Sequence, residues 1–271
     1  MNKPWKSHSS IALAIMLSAW ASMELAHGQD RGGQGAAARD ALTPKAAAPV
    51  DLTGYWVSIV SDDWRIRMFD TFKSDNANVP LNANGRRAAE AWDPKKDEAA
   101  GEQCRRYGAP HLLRIPGRLH IAWQSDQVLT LETDAGMQKR VFDFDAPSSS
   151  GRDWQGVSQA SWEFLPPPAI STDGARLSFN ARETDRRAGS LKVVTTELRS
   201  GYLRNNGVPY SDRTILTEYF DVMREPSGDT YLIVTTKVED PIYLNVPFVV
   251  GTNFRKQADA SGWNPTSCES E

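Results

Sequence analysis

The sequence predicts an all-β fold, an antiparallel β-barrel of about ten strands with one or two short helices. Three observations predict it. Apolar and polar residues alternate almost without interruption after residue 115. The alternating runs are joined by short Gly, Asn, Asp or Pro turns, and they follow one another with no helix between them. An open sheet of this size would leave two long edges, so closure into a barrel or folding into a sandwich is expected.

The chain begins with Lys3 and Lys6, an apolar run "IALAIMLSAWASMELA" and the small residues "AHG" ending at Gly28. This is the pattern of a signal peptide over 1–28, with Gln29 as the new N-terminus. The apolar run is short and broken by Ser and Glu24, so it suits cleavage better than a membrane span. No later stretch is apolar enough to cross a bilayer. A flexible linker is expected over 29–50, which is Gly, Ala, Arg and Pro without apolar period. The barrel domain then occupies 51–271, long enough for a substantial core.

Within it, "LTGYWVSIV" reads as the first strand and "RLHIAWQ" as the next, with Leu119, Ile121 and Trp123 on one face. "VLTLETD", "MQKRVFDFD", "GVSQASWEF", "ARLSFNA", "SLKVVTTEL", "TILTEYFDV", "TYLIVTTKV" and "PFVVGTNFRK" continue the series. A helix interrupts it at "PLNANGRRAAEAWDP", with Asn82 or Asn84 as cap and Pro94 as stop. "KKDEAAGEQC" adds another turn.

The formal net charge of −3, with both signs interspersed, argues against nucleic acid as a partner. Cys104 and Cys268 are the two cysteines. In an oxidising compartment such a pair suggests a disulfide clamping the C-terminal tail; free thiols or a metal pair are the alternatives. No phosphate loop, dinucleotide fingerprint or HExxH occurs, so no cofactor is expected. After processing, His111 and His120 are the remaining histidines, too few for a metal site of well-spaced ligands.

"DLTGYW" resembles the Gly-x-Trp signature, here Gly54 and Trp56, that opens the first strand of lipocalins and related calycin barrels. The blocks "VDLTGYWVSIVSDDWRIRM", "PLNANGRRAAEAWDPKKDEAAGEQCRRYGAP", "PGRLHIAWQ", "LETDAG", "GYLRNNGVPYS", "LTEYF" and "VEDPIYL" resemble a group of secreted bacterial proteins of unknown role. There the same blocks recur in the same order over nearly the whole mature chain. The resemblance implies a lipocalin-like barrel, with one cysteine before "YGAP" and another near the C-terminus. It implies no biochemical role. "LPPPAISTDGARLSFNARETDRRAGS", longer than the turn expected there, departs from the pattern and reads as a lid or as decoration.

Candidate chemistry gathers at loops. If "SDDWRIRM" continues the first strand, Arg65 and Arg67 share a face and could hold a carboxylate, sulfate or enolate, with Asp63 as a proton carrier. The alternative is that they pair with Asp62, Asp63 or Glu218 to tie the barrel wall. Glu218 shares a face with Leu216, Phe220 and Val222, and would act as general acid or base if that face is interior. Otherwise an arginine satisfies it. Glu132 and His120 are weaker candidates of the same kind. In "GYLRNNGVPYSDR", Asn206-Gly207 is a turn signal and Pro209 fixes the backbone beyond it. Tyr202, Arg204 and Tyr210 exceed what a turn needs and suit stacking on an aromatic or enol-bearing ligand. Glu239, Asp240 and Tyr243 should open at the same end, two strands on.

The expected function is binding of a small hydrophobic or aromatic molecule in the periplasm or outside the cell, extending to cofactor-free acid–base chemistry of isomerase, lyase or hydratase type. Asp63, Glu218 and Tyr210 would carry catalysis. Arg65, Arg67, Tyr202, Arg204, Asn206 and Trp123 would bind. A non-catalytic carrier, or a structural or interaction protein of the envelope, is the alternative.

Overall fold

A computed structural model describes residues 42–69, 71–73, 75–145, 147, 151–164 and 189–268. Nine strands close into a barrel: β1 (Gly54–Ile59), β2 (Arg118–Trp123), β3 (Val128–Thr133), β4 (Lys139–Asp143), β5 (Val157–Phe164), β6 (Gly189–Thr196), β9 (Ile215–Arg224), β10 (Thr230–Glu239) and β11 (Phe248–Lys256). The strand order is β1-β11-β10-β9-β6-β5-β4-β3-β2, consistent with a calycin-like fold. A two-stranded hairpin, β7 (Gly201–Tyr202) and β8 (Pro209–Tyr210), stands outside the wall. Nine of the ten expected runs are therefore barrel strands, and "ARLSFNA" lies outside the described residues, as do the signal peptide and most of the linker. One pair departs from the expected antiparallel pattern. β4 and β5 run parallel, Phe142 beside Ser158, so the chain between them returns from one mouth of the barrel to the other.

Alternation divides each strand into an inward and an outward row. Inward residues of β9 are Leu216, Glu218 and Phe220; those of β10 are Leu232, Val234, Thr236 and Val238; all are buried. At one mouth, between the β2–β3 and β9–β10 turns, sits a cluster that includes Trp56, Leu119, Ile121, Phe142, Leu191, Phe220 and Phe254. At the other mouth, Leu216, Val238 and Phe248 join a second cluster with Leu81, Ala89, Leu203, Val208 and Tyr210 from the cap. Each such aliphatic or aromatic side chain contributes about 1.5–3 kcal/mol on burial.

The cap is helical where the sequence offers caps and helix formers. Asn82 opens α3 (Ala83–Ala91) by accepting from Asn84 N at 2.8 Å and Gly85 N at 2.9 Å. The helix ends at Ala91, ahead of Pro94 as expected, and Pro94 also starts α4 (Pro94–Ala99) behind an Asp93 cap. Further short segments are α1 (Pro44–Ala47), α2 (Trp64–Met68), a 3₁₀ turn (Gln103–Tyr107) and α5 (Ala109–Leu112). α1 belongs to the last part of the expected linker; Lys45 N donates to Asp126 O at the uncapped mouth.

From Lys256 the tail runs back along the outer wall. Gln257 N donates to Tyr55 O, Trp263 meets the stacked Tyr55 and His120 rings, and Thr266 N reaches Asp134 O. Cys268 thereby arrives beside Cys104 on the cap, the Cα atoms 5.1 Å apart and at disulfide distance. The two lie 164 residues apart in sequence, so closing the loop should stabilise the fold by about 4–5 kcal/mol on the chain-entropy account. Replacing both by Ser should lower the urea midpoint by the corresponding amount, and reductant should lower the wild-type midpoint but leave that variant unmoved.

Candidate functional site

Glu218 faces the barrel interior, as its phase predicts, and is fully buried. Its carboxylate is taken by Arg140, which reaches across from β4: Nη1 donates to Oε1 at 2.9 Å and Nη2 to Oε2 at 2.6 Å. Arg140 Nη2 also donates to Thr195 Oγ1 at 3.0 Å, and Ser158 Oγ lies 2.7 Å from Thr195 Oγ1. The guanidinium stacks over Phe142. Arg140, Ser158, Thr195 and Glu218 thus form a polar layer between the two apolar clusters. Bidentate pairing satisfies both carboxylate oxygens and matches the charge. Removing one partner leaves a buried, uncompensated ion.

The residues singled out in the loops do converge, over the second mouth, but as cap interior. Asp63 lies in the left-handed region (φ +52°) before α2, and its Oδ2 accepts from buried Arg114 Nη2 at 2.7 Å. The expectation that Arg65 and Arg67 share a strand face is corrected. "WRIRM" is a helix, so residues two apart point in nearly opposite directions. Arg65 is exposed and pairs with Asp75 at 2.7 Å, whereas Arg67 is buried and donates from Nε to Arg114 O at 2.8 Å. Burial, with Arg114 adjacent, lowers the Arg67 pKa to about 10.

The hairpin turn at Asn206-Gly207 is present, Gly207 having φ +80° and lying against the Trp92 ring where a Cβ would clash. Arg204 Nη2 donates to Ala77 O at 2.6 Å, and Asn206 Nδ2 to Phe72 O at 2.9 Å and Asp75 O at 2.8 Å. Tyr202 donates to Asp97 Oδ2 at 2.6 Å beneath the Arg105 guanidinium. Burial and that hydrogen bond push its phenol pKa up. Tyr210 is buried with its hydroxyl against Gly108 and Gly201, which leave room for it, and burial raises its pKa too. Asp240 does open at the same end, accepting from Ser211 N and Oγ and from Thr214 Oγ1. His120 and Glu132 lie on the outer wall, 3.5 Å apart.

The first mouth offers a different surface. Trp123, Phe144 and Trp162 are half-buried and in ring contact, with centroids 5.4–6.5 Å apart. Trp123 was expected to bind ligand; Phe144 and Trp162 were not singled out, although both continue the inward phase of their strands. Arg140 was missed as well. Its signal was present: a charged residue in phase with Phe142 on one strand, opposite in sign to Glu218 in phase with Phe220 on another.

Among the described residues no group of His, Cys, Asp and Glu could hold a metal ion, and no helix is long and apolar enough to cross a membrane. No protein-family model, curated protein or solved structure matches the chain.

Two measurements check this site. Glu218→Ala should cost about 3–5 kcal/mol in denaturant unfolding by stranding Arg140, while the double variant Arg140→Met/Glu218→Leu should return to near or above wild-type stability. His111 is buried beside Arg106, Arg114 and Arg67, and burial lowers its pKa to about 3. The unfolded chain therefore binds the extra proton first, between its ordinary pKa of about 6.5 and about 3. Stability should fall on acidification through that window by up to about 1.4 kcal/mol per pH unit. His111→Gln should flatten that slope between pH 6 and pH 4.

Proposed function

We propose that the protein is an exported, non-catalytic binder of small apolar or aromatic molecules, which it takes up on the Trp123–Phe144–Trp162 surface at the uncapped mouth. The half-buried aromatic cluster carries the reading: three rings in contact at inward-facing positions, partly open to solvent, suit stacking against a flat apolar ligand. Carriage is favoured over acid–base chemistry because both oxygens of the fully buried Glu218 are held by Arg140. Asp63 is likewise committed to Arg114, and Tyr210 to the cap. Export is supported by the signal-peptide pattern over 1–28 and by the cysteine pair at disulfide distance. The resemblance to secreted bacterial barrels of unknown role belongs to the same reading.

A second reading, an interaction protein of the envelope, draws on one observation. Trp64, Met68, Phe69 and Phe72 on the cap are 55–86 % exposed, and large apolar side chains exposed close together suit a partner surface.

Titration with the neutral fluorophore N-phenyl-1-naphthylamine tests the first. It should bind saturably, with Trp123→Ala and Trp162→Ala each weakening it about tenfold, the loss of one ring's stacking and buried area. Binding that is absent, or indifferent to both substitutions, removes the reading. Mass spectrometry of a ligand co-purified with the wild type should return it unaltered after incubation.

A further inference from the structure

Among the described residues, the cap collects more buried positive charge than its carboxylates balance. Arg67 comes from α2, Arg114 follows α5, and Arg204 lies at the tip of the β7–β8 hairpin; they are 5, 3 and 1 % exposed. A guanidinium keeps its charge and offers five N–H donors. Few are used here. Arg67 donates from Nε to Arg114 O, Arg114 from Nη2 to Asp63, and Arg204 from its Nη atoms to Asp75 O and Ala77 O. Arg67 Nη2, Arg114 Nε and Arg204 Nε are buried with no hydrogen-bond partner among the described residues.

Among the described residues, the carboxylates nearby do not close the balance. Asp63 bonds Arg114 directly. Asp75 is paired to exposed Arg65, and Asp62 lies exposed at the surface. Burial lowers the pKa of both Arg67 and Arg204 to about 10, and the nearby Arg114 charge acts in the same direction on each. Like charges held together away from water, with orphaned donors, are costly unless an anion joins them. The fold meets this cost with residues from three separate segments.

We propose that the cap binds one small oxyanion, a phosphate, sulfate or carboxylate group, between Arg67, Arg114 and Arg204. Planar, forked donors match such groups better than they match a halide. Asp63, 28 % exposed at its side chain, marks the edge at which the site meets solvent. This site lies at the opposite mouth from the aromatic surface, and so stands or falls independently of the proposed carriage.

Isothermal titration of the mature protein with sodium phosphate, sulfate or acetate, each at ionic strength matched by chloride, tests it. The expected result is saturable one-to-one binding of at least one oxyanion, at least tenfold weaker in Arg67→Met and Arg204→Met and unchanged in Arg152→Gln, a surface arginine paired with Asp212. Which of the three salts binds tightest assigns the class. The wild-type melting temperature should rise with the logarithm of that anion's concentration, a readout that holds even if a variant does not fold. No oxyanion binding beyond chloride in the wild type would overturn the proposal. So would binding retained by both cap variants, or lost in Arg152→Gln.

Discussion

The Arg140–Glu218 pair sets the terms for the rest of the barrel. A charged pair at the centre of a small barrel can be tolerated only with its carboxylate oxygens matched, and Thr195, backed by Ser158, takes a further donor of the arginine. Once the layer exists, the interior is partitioned. One apolar cluster fills the space toward the hairpin turns, and the other continues out of the barrel into the cap. The pair also fixes register. Arg140 and Glu218 lie on strands separated around the wall by β5 and β6, and a slip of one residue in either would turn a charge outward and leave its partner buried alone.

The cap follows from the same economy of polar groups. Its loops carry arginines, tyrosines and asparagines that look like a ligand mouth, yet most of their hydrogen bonds go to backbone carbonyls of neighbouring loops. Arg204 and Asn206 hold the 72–77 stretch, and Asp240 gathers the start of β9. Long loops stacked on a barrel end bury carbonyls that no strand ladder can satisfy, and long side chains with forked donors are what reach them. Polar richness in a loop can therefore mark buried backbone as readily as it marks chemistry.

The strands were legible because period 2 persists over long runs, as in Leu216–Glu218–Phe220, and the Asn82 cap was legible because its chemistry is local. "WRIRM" was not. Trp64, Ile66 and Met68 alternate as a strand would, and five residues are too few for periodicity to separate strand from helix; burial of adjacent Ile66 and Arg67 marks the helix. The parallel β4–β5 pairing was invisible for another reason, since nothing local in either strand names its neighbour. Of the residues singled out in the loops, their placement at one end of the barrel was readable and their hydrogen-bond partners were not. Asp63, Tyr202, Arg204 and Tyr210 all lie in the cap, but what each side chain bonds there is set by loops distant in sequence: Arg114 for Asp63, Asp97 for Tyr202 and the Ala77 carbonyl for Arg204.

The returning tail has a mechanical consequence. β1 and β11 close the barrel, so the seam of the wall lies where the first strand meets the last. The tail does not leave from that seam; it crosses Tyr55 and His120 and reaches the cap at Cys268. With the two sulfurs bonded, tension on the C-terminus would be carried into the 3₁₀ turn at Cys104, and β11 would feel none of the peeling force that opens a barrel from its final strand.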